Sequence, residues 1–160
     1  NESSETVPLR EELDIIERYL SICKNRFEDR LSYDIFVQAE LREYLLPRFL
    51  LQPVVENAVV HGIEKCQEHG SIRIRCYCAE GTAVIDIAND GPSISQEVQT
   101  RLDLALRGGG EPGREAPEHI GLLNVQERIR LFAGEGYGLQ LLDAIPQGVI
   151  VRIRLPGPGA

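Results

Sequence analysis

Apolar residues recur at helical spacing through Leu13, Ile16, Leu20 and Cys23, which predicts a helix over 9–25. Its greasy stripe packs either on a partner helix or, more simply, in this chain's own core. Period-two alternation predicts strands over 32–38, 70–79, 82–89, 137–143 and 148–155, and the 3.6-residue period predicts further helices over 47–65, 95–106 and 121–133. Pro47 suits the first turn of the second of these helices, and Ser93 or Ser95 suits the cap of the third. Strands and helices segregate rather than alternate strictly. The expected fold is therefore α+β, with a largely antiparallel sheet and helices layered on one face.

The second helix contains the stretch Leu50-Leu51-Gln52-Pro53-Val54-Val55-Glu56-Asn57-Ala58-Val59-Val60-His61-Gly62. Burying amide or imidazole groups is costly unless they find partners, so Glu56, Asn57 and His61 suggest that one edge of this helix faces a ligand. His61 lies four residues after Asn57 on the same face, while Glu56 is about one hundred degrees round the axis. The plainer reading is that Asn57 bridges a neighbouring loop and His61 ends the helix beside Gly62.

Two glycine-containing segments follow. Val84 to Ile94 is an alternating strand running into Asn89-Asp90-Gly91-Pro92, a turn that holds polar side chains still at a strand end, where a flat base can be recognised. His119-Ile120-Gly121-Leu122 opens an amphipathic helix, whose exposed amides attract phosphate while glycine lets it come close. Between them, Arg107 to Pro117 is rich in glycine and charge and reads as a mobile lid.

In this order, the motifs resemble the ATP-binding domain of LytS-type sensor histidine kinases, in the superfamily shared with gyrase, heat-shock-90 chaperones and mismatch-repair ATPases. The resemblance runs from about residue 7 to 156: the 50–62 stretch matches the asparagine box, Asn89 to Ile94 the first glycine box, and His119 to Arg128 the second. It implies a two-layer α+β sandwich with a mostly antiparallel mixed sheet (the Bergerat-type fold), a lead-in helix over 1–30 and an ATP-binding domain over 31–160. It also implies ATP and Mg²⁺ as ligands, with the amide oxygen of Asn57 on the metal and Glu56 orienting a metal-bound water or setting the site's charge. The nucleotide would be bound by Asn57, His61, Asn89, Asp90, Gly91, Ile94, His119, Ile120, Gly121 and Leu122.

Several positions depart from the family's pattern. Asn89 stands where an aspartate reads the adenine amino group, so its carbonyl oxygen would accept that bond, shared with Asp90 or water. Ser93 and His119 stand at usual glycines, and Val60 replaces a phosphate-reaching lysine or arginine, leaving Arg107 or Arg114 of the lid to help. Pro53 replaces the catalytic glutamate of the superfamily's ATP hydrolases, as expected of a kinase that saves its γ-phosphate. The three histidines are His61, His69 and His119, and none lies in a phosphoacceptor motif. This chain is thus expected to bind nucleotide without phosphorylating itself, donating to a histidine upstream.

The implied partners are those upstream phosphoacceptor helices and a response regulator, with a homodimer in the full-length protein and a cytoplasmic placement behind a membrane-bound sensor. An anti-sigma-type serine kinase and a nucleotide-binding or partner-binding module without kinase activity are the alternatives. Across 160 residues the net charge of −8, with no basic stripe, argues against nucleic acid. No apolar run is long enough to span a membrane. The four cysteines, 23, 66, 76 and 78, lack zinc-site spacing and read as free thiols.

Overall fold

A computed structural model describes residues 5–64, 68–108 and 117–159, with the backbone alone for Pro117 and Glu118. Strands β4 (Gly70–Ala79) and β5 (Thr82–Asn89) form a hairpin whose turn residues Glu80 and Gly81 both have positive φ, 50° and 77°, matching the right-handed strand twist. β2 (Leu31–Val37) pairs in parallel with β4, whereas β6 (Gly138–Asp143) and β7 (Val149–Pro156) add antiparallel strands, giving the order β2-β4-β5-β7-β6. This is the mixed, mostly antiparallel sheet that the family resemblance implied.

One face of the sheet presents Ile72, Ile74, Ile85, Ile87, Val151 and Ile153 to the helices, all buried. The opposite face is polar, where Arg152 donates to both carboxylate oxygens of Asp86 at 2.8 and 3.0 Å and the Tyr77 hydroxyl donates to the same group at 3.0 Å. Such alternation lets one face form the core while the other stays wet. The helical layer contains α1 (Leu9–Arg26), α2 (Gln52–Val59), α3 (Gln96–Leu106) and α4 (Pro117–Ala133). Ser95 caps α3 by accepting the Val98 N–H at 3.3 Å, the second of the two expected caps, while Ser93 accepts from Gly148 N–H.

The stripe Leu13, Ile16, Leu20 and Cys23 of α1 is buried in the same core as the sheet and α2, which is the simpler of its two expected roles. Cys76 is also buried, and burial pushes its thiol up to about 12, so it is an inert packing group. Cys23, Cys76 and Cys78 are free; Cys66 lies outside the described residues.

The helix expected over 47–65 is shorter and differently begun. Pro47 ends a strand, β3 (Leu45–Pro47), that pairs with β1 (Thr6–Pro8), and Phe49 takes φ 63°, which breaks helical winding before α2 starts at Gln52. Pro53 supplies the preset φ in the first turn instead. Leu51, at the N-cap, offers no side-chain cap.

Other elements hold this entry. The Glu12 carboxylate of α1, 2 % exposed, accepts the N–H groups of Phe49 at 2.6 Å and Leu51 at 3.4 Å. From the other side, the Arg128 guanidinium of α4 donates to the carbonyls of Arg48 and Phe49 at 2.6 and 3.1 Å. Replacing Glu12 with alanine strands buried amides and is expected to cost about 2 kcal/mol, read from denaturant midpoints. Burial raises the Glu12 carboxyl above its usual value of 4.5, against the lowering effect of those two N–H groups, so the folded chain holds the proton longer than the unfolded one. Its favourable linkage is full below the unfolded value and is lost as pH rises through the folded one. Stability of wild type relative to Glu12→Gln should therefore decline over that window.

Candidate functional site

Asn57 occupies the second turn of α2 and is half-buried. Glu56 projects to solvent, where it accepts from Gln52 Nε2 at 3.3 Å, on the side whose charge reaches Tyr19 of α1. After Val59 the chain does not stop but widens into a π turn, Val60–Glu64. This carries His61 off the straight i, i+4 line with Asn57 and brings its ring over His119. The two imidazoles stack with centroids 5.5 Å apart and an interplanar angle of 7°, and His119 is 6 % exposed.

Gly62, also in the π turn, is where the asparagine-bearing segment meets the end of β5. A Cβ there would lie 2.7 Å from Asn89 Cβ, and one on Gly91 would lie 2.6 Å from both Gly62 Cα and His61 O. Real Cβ atoms do not approach so closely, so this backbone contact exists because both residues are glycine. Gly148, at φ 111°, closes the site from the β6–β7 loop; a Cβ on it would lie 2.0 Å from Asn89 O. Gln147 Nε2 donates to Asp90 O at 2.9 Å from the same loop.

Asn89, 5 % exposed at the end of β5, accepts the Gly91 N–H on Oδ1 at 2.9 Å. The oxygen expected to receive a base's amino group thus already has one lone pair in use by the turn. Asp90, the expected helper, uses Oδ1 to accept the Ser71 N–H at 2.8 Å and so ties the turn to β4. Ile94 packs partly buried against the core.

The second glycine box differs in its boundary. α4 begins at Pro117, four residues before the expected start, because proline pre-forms a first helical turn and sacrifices no needed donor. Gly121 is its fifth residue, so its N–H falls beyond the amides that a helix start leaves unbonded. A Cβ there would meet only Pro53 Cβ, at 3.7 Å, an ordinary contact, so α4 crosses α2 beside this glycine. Leu122 is 2 % exposed and belongs to the core, so its side chain offers nothing to a ligand; Ile120 is 48 % exposed. The expected lid lies largely outside the described residues, including Arg114. Arg107 follows the end of α3 and lines a cleft of about 940 Å³ with Asp103, Gln126, Arg130 and Tyr137, none of them an expected site residue.

Among the described residues no cluster of three or more His, Cys, Asp or Glu exists to hold a metal. The amide oxygen of Asn57 is a donor of the kind a hard cation takes alongside water and phosphate oxygens. Sequence reasoning missed Glu12, Gln147 and Gly148. Glu12 had a signal, a carboxylate on the apolar stripe of α1 beside Leu13 and Ile16; the loop residues had none.

A family profile for histidine kinase-, DNA gyrase B- and HSP90-like ATPases matches residues 46–159. The sensor histidine kinase YesM of Bacillus subtilis is 33 % identical over 150 residues, covering 94 % of this chain and 24 % of that protein. The sensor protein LytS of Bacillus anthracis is 25 % identical over 150 residues, 94 % of this chain and 25 % of that protein. The chain thus spans about a quarter of the length of these relatives. Among solved structures, a nucleotide-free catalytic domain of the histidine kinase ThkA superposes with a TM-score of 0.70 at 16 % identity, covering 95 % of this chain and 96 % of that one. Together with the junction of Gly62, Asn89 and Gly91, the profile match makes this chain a member of the histidine kinase-, DNA gyrase B- and HSP90-like ATPase family.

Proposed function

We propose that this chain is the ATP-binding catalytic part of a sensor histidine kinase. It binds Mg²⁺ with a nucleoside triphosphate between α2, the end of β5 and the start of α4, and donates the γ-phosphate to a histidine on upstream helices. The observation that carries this reading is the glycine-to-glycine contact of Gly62 with Gly91, which joins the asparagine segment to the base-side turn. In such a reaction the protein's work is positioning and charge stabilisation. The metal would supply most of the charge; Asn57 would hold it, Glu56 would orient a water beside it, and His61 and His119 would wall the site.

The phosphorylated histidine would pass its group to a response regulator, in a dimeric protein placed at the cytoplasmic side of a membrane. α1 is the segment that would link the phosphoacceptor helices to the site, and its Glu12 reaches the entry of α2 directly. Among the described residues no helix is long and apolar enough to cross a membrane, so any anchor would belong to another part of the protein. A second reading, a nucleotide-binding module without transfer, draws on Val60, which offers no cation to the phosphates.

Gly121→Ala separates phosphate approach from folding. Because a Cβ fits beside Pro53 and alanine favours a helix interior, the variant should be more stable by about 0.5–1 kcal/mol. Its nucleotide affinity should nevertheless fall, and Gly121→Val should lower it further. Unchanged affinity in both variants would remove the phosphate from this position. Phosphotransfer itself is tested by adding the upstream segment of the protein and following label from γ-labelled ATP; no acid-labile phosphohistidine would overturn the kinase reading.

A further inference from the structure

β6 is an outer strand of the sheet, so alternate peptide groups along it point away from β7. Its register, with the bond from Ala144 N–H to Gly148 O at 3.1 Å, puts Gly138, Gln140 and Leu142 in the hydrogen-bonded pairs and turns the N–H and C=O groups of Leu139 and Leu141 outward. Side chains take two of these four groups. Gln126 of α4 accepts the Leu139 N–H on Oε1 at 2.7 Å, and Gln99 of α3 donates to the Leu141 carbonyl through Nε2 at 3.3 Å. Gly138 admits the first of them, since a Cβ on it would overlap Gln126 Oε1. Between the two glutamines, the Leu139 carbonyl and the Leu141 N–H make no hydrogen bond among the described residues.

That acceptor and that donor belong to the strand segment lining the 940 Å³ cleft, with Gln99 and Gln126 at its two ends and Leu106 and Leu123 among its apolar walls. Its volume is that of a small-molecule site. Asn57, Asn89, Gly91 and Gly121 do not line it, so it is separate from the nucleotide site. An added β-strand would have to displace both glutamines, which limits the occupant to a compact molecule. The charged residues of the lining balance, Asp103, Glu127 and Glu135 against Arg107, Arg130 and Arg154, which favours a neutral one. We propose that the cleft between α3 and α4 binds a small neutral lactam or cyclic amide, whose N–H is received by the Leu139 carbonyl and whose carbonyl accepts the Leu141 N–H.

Isoquinolone, a bicyclic lactam, is a suitable probe, and N-methylisoquinolone is the same molecule without the donor. In amide-resolved NMR titrations of the wild-type chain, isoquinolone should shift the signals of residues 139–141 saturably, with a midpoint of about 1 mM. The N-methyl compound should bind about tenfold more weakly, the worth of one hydrogen bond. Ala105 is half-buried in the cleft lining, and Ala105→Trp should fill the space and remove the isoquinolone shifts. No saturable shift, equal binding of the two compounds, or shifts centred on Asn89 and Gly91 would overturn the proposal, as would a folded Ala105→Trp variant that binds the probe like wild type. The comparison of the two compounds on the wild type decides the matter even if the variant fails to fold.

Discussion

Replacing Gly62 with alanine is expected to lower the thermal midpoint by about 5–10 °C and to abolish nucleotide binding. The added Cβ would sit 2.7 Å from Asn89 Cβ and 3.3 Å from Asn89 Oδ1, and Asn89 cannot retreat, because its carbonyl is closed in by Gly148 and its side chain by the Gly91 N–H. The π turn must then separate from β5. That movement carries His61 away from His119 and Asn57 away from the base-side turn, so fold and site fail together. Thermal melts followed by circular dichroism, with Gly121→Ala as the comparison, measure the first effect and calorimetry the second. A variant that melts and binds like wild type would mean that the contact is incidental.

Asn57→Ala is expected to spare the fold where Gly62→Ala does not. Alanine favours a helix interior, so the melting temperature should move much less than in Gly62→Ala. Affinity for nucleotide in the presence of Mg²⁺ should drop about a hundredfold or more, since the chain's single proposed metal ligand is lost and no acidic cluster among the described residues replaces it. Asn57→Asp keeps an oxygen in the same place and should retain metal-dependent binding. If alanine and aspartate behave alike, Asn57 acts through its neighbours and not through the cation.

Much of this was legible because period and punctuation agree. The alternation in Ile72, Ile74 and Cys76 and in Ala83, Ile85 and Ile87 gave both central strands their bounds and their buried face, and Gly81 marked the turn between them. The entry to α2 was not legible. Its apolar run from Leu45 to Leu51 looks helical by composition, yet Leu45 and Leu46 pair across to Val7 and Pro8, a contact no local period records. The start of α4 is illegible for a related reason: Gly121 reads as punctuation in the sequence, whereas Pro117 is the residue that begins the helix. For the site, the residue types were visible but their hydrogen-bond polarity was not. That Asn89 spends its oxygen on Gly91, and Asp90 its carboxylate on Ser71, depends on the turn's geometry and on β4, nineteen residues earlier in the chain for the latter pair.

The central claim is that one amide oxygen on α2 joins a triphosphate to this fold through a divalent cation. Calorimetric titration of the wild-type chain with ATP, once in excess Mg²⁺ and once in excess chelator, tests it most directly. Saturable one-to-one binding in Mg²⁺ that weakens at least about tenfold in chelator is the predicted result. Equal affinity under the two conditions, or no binding under either, would contradict it.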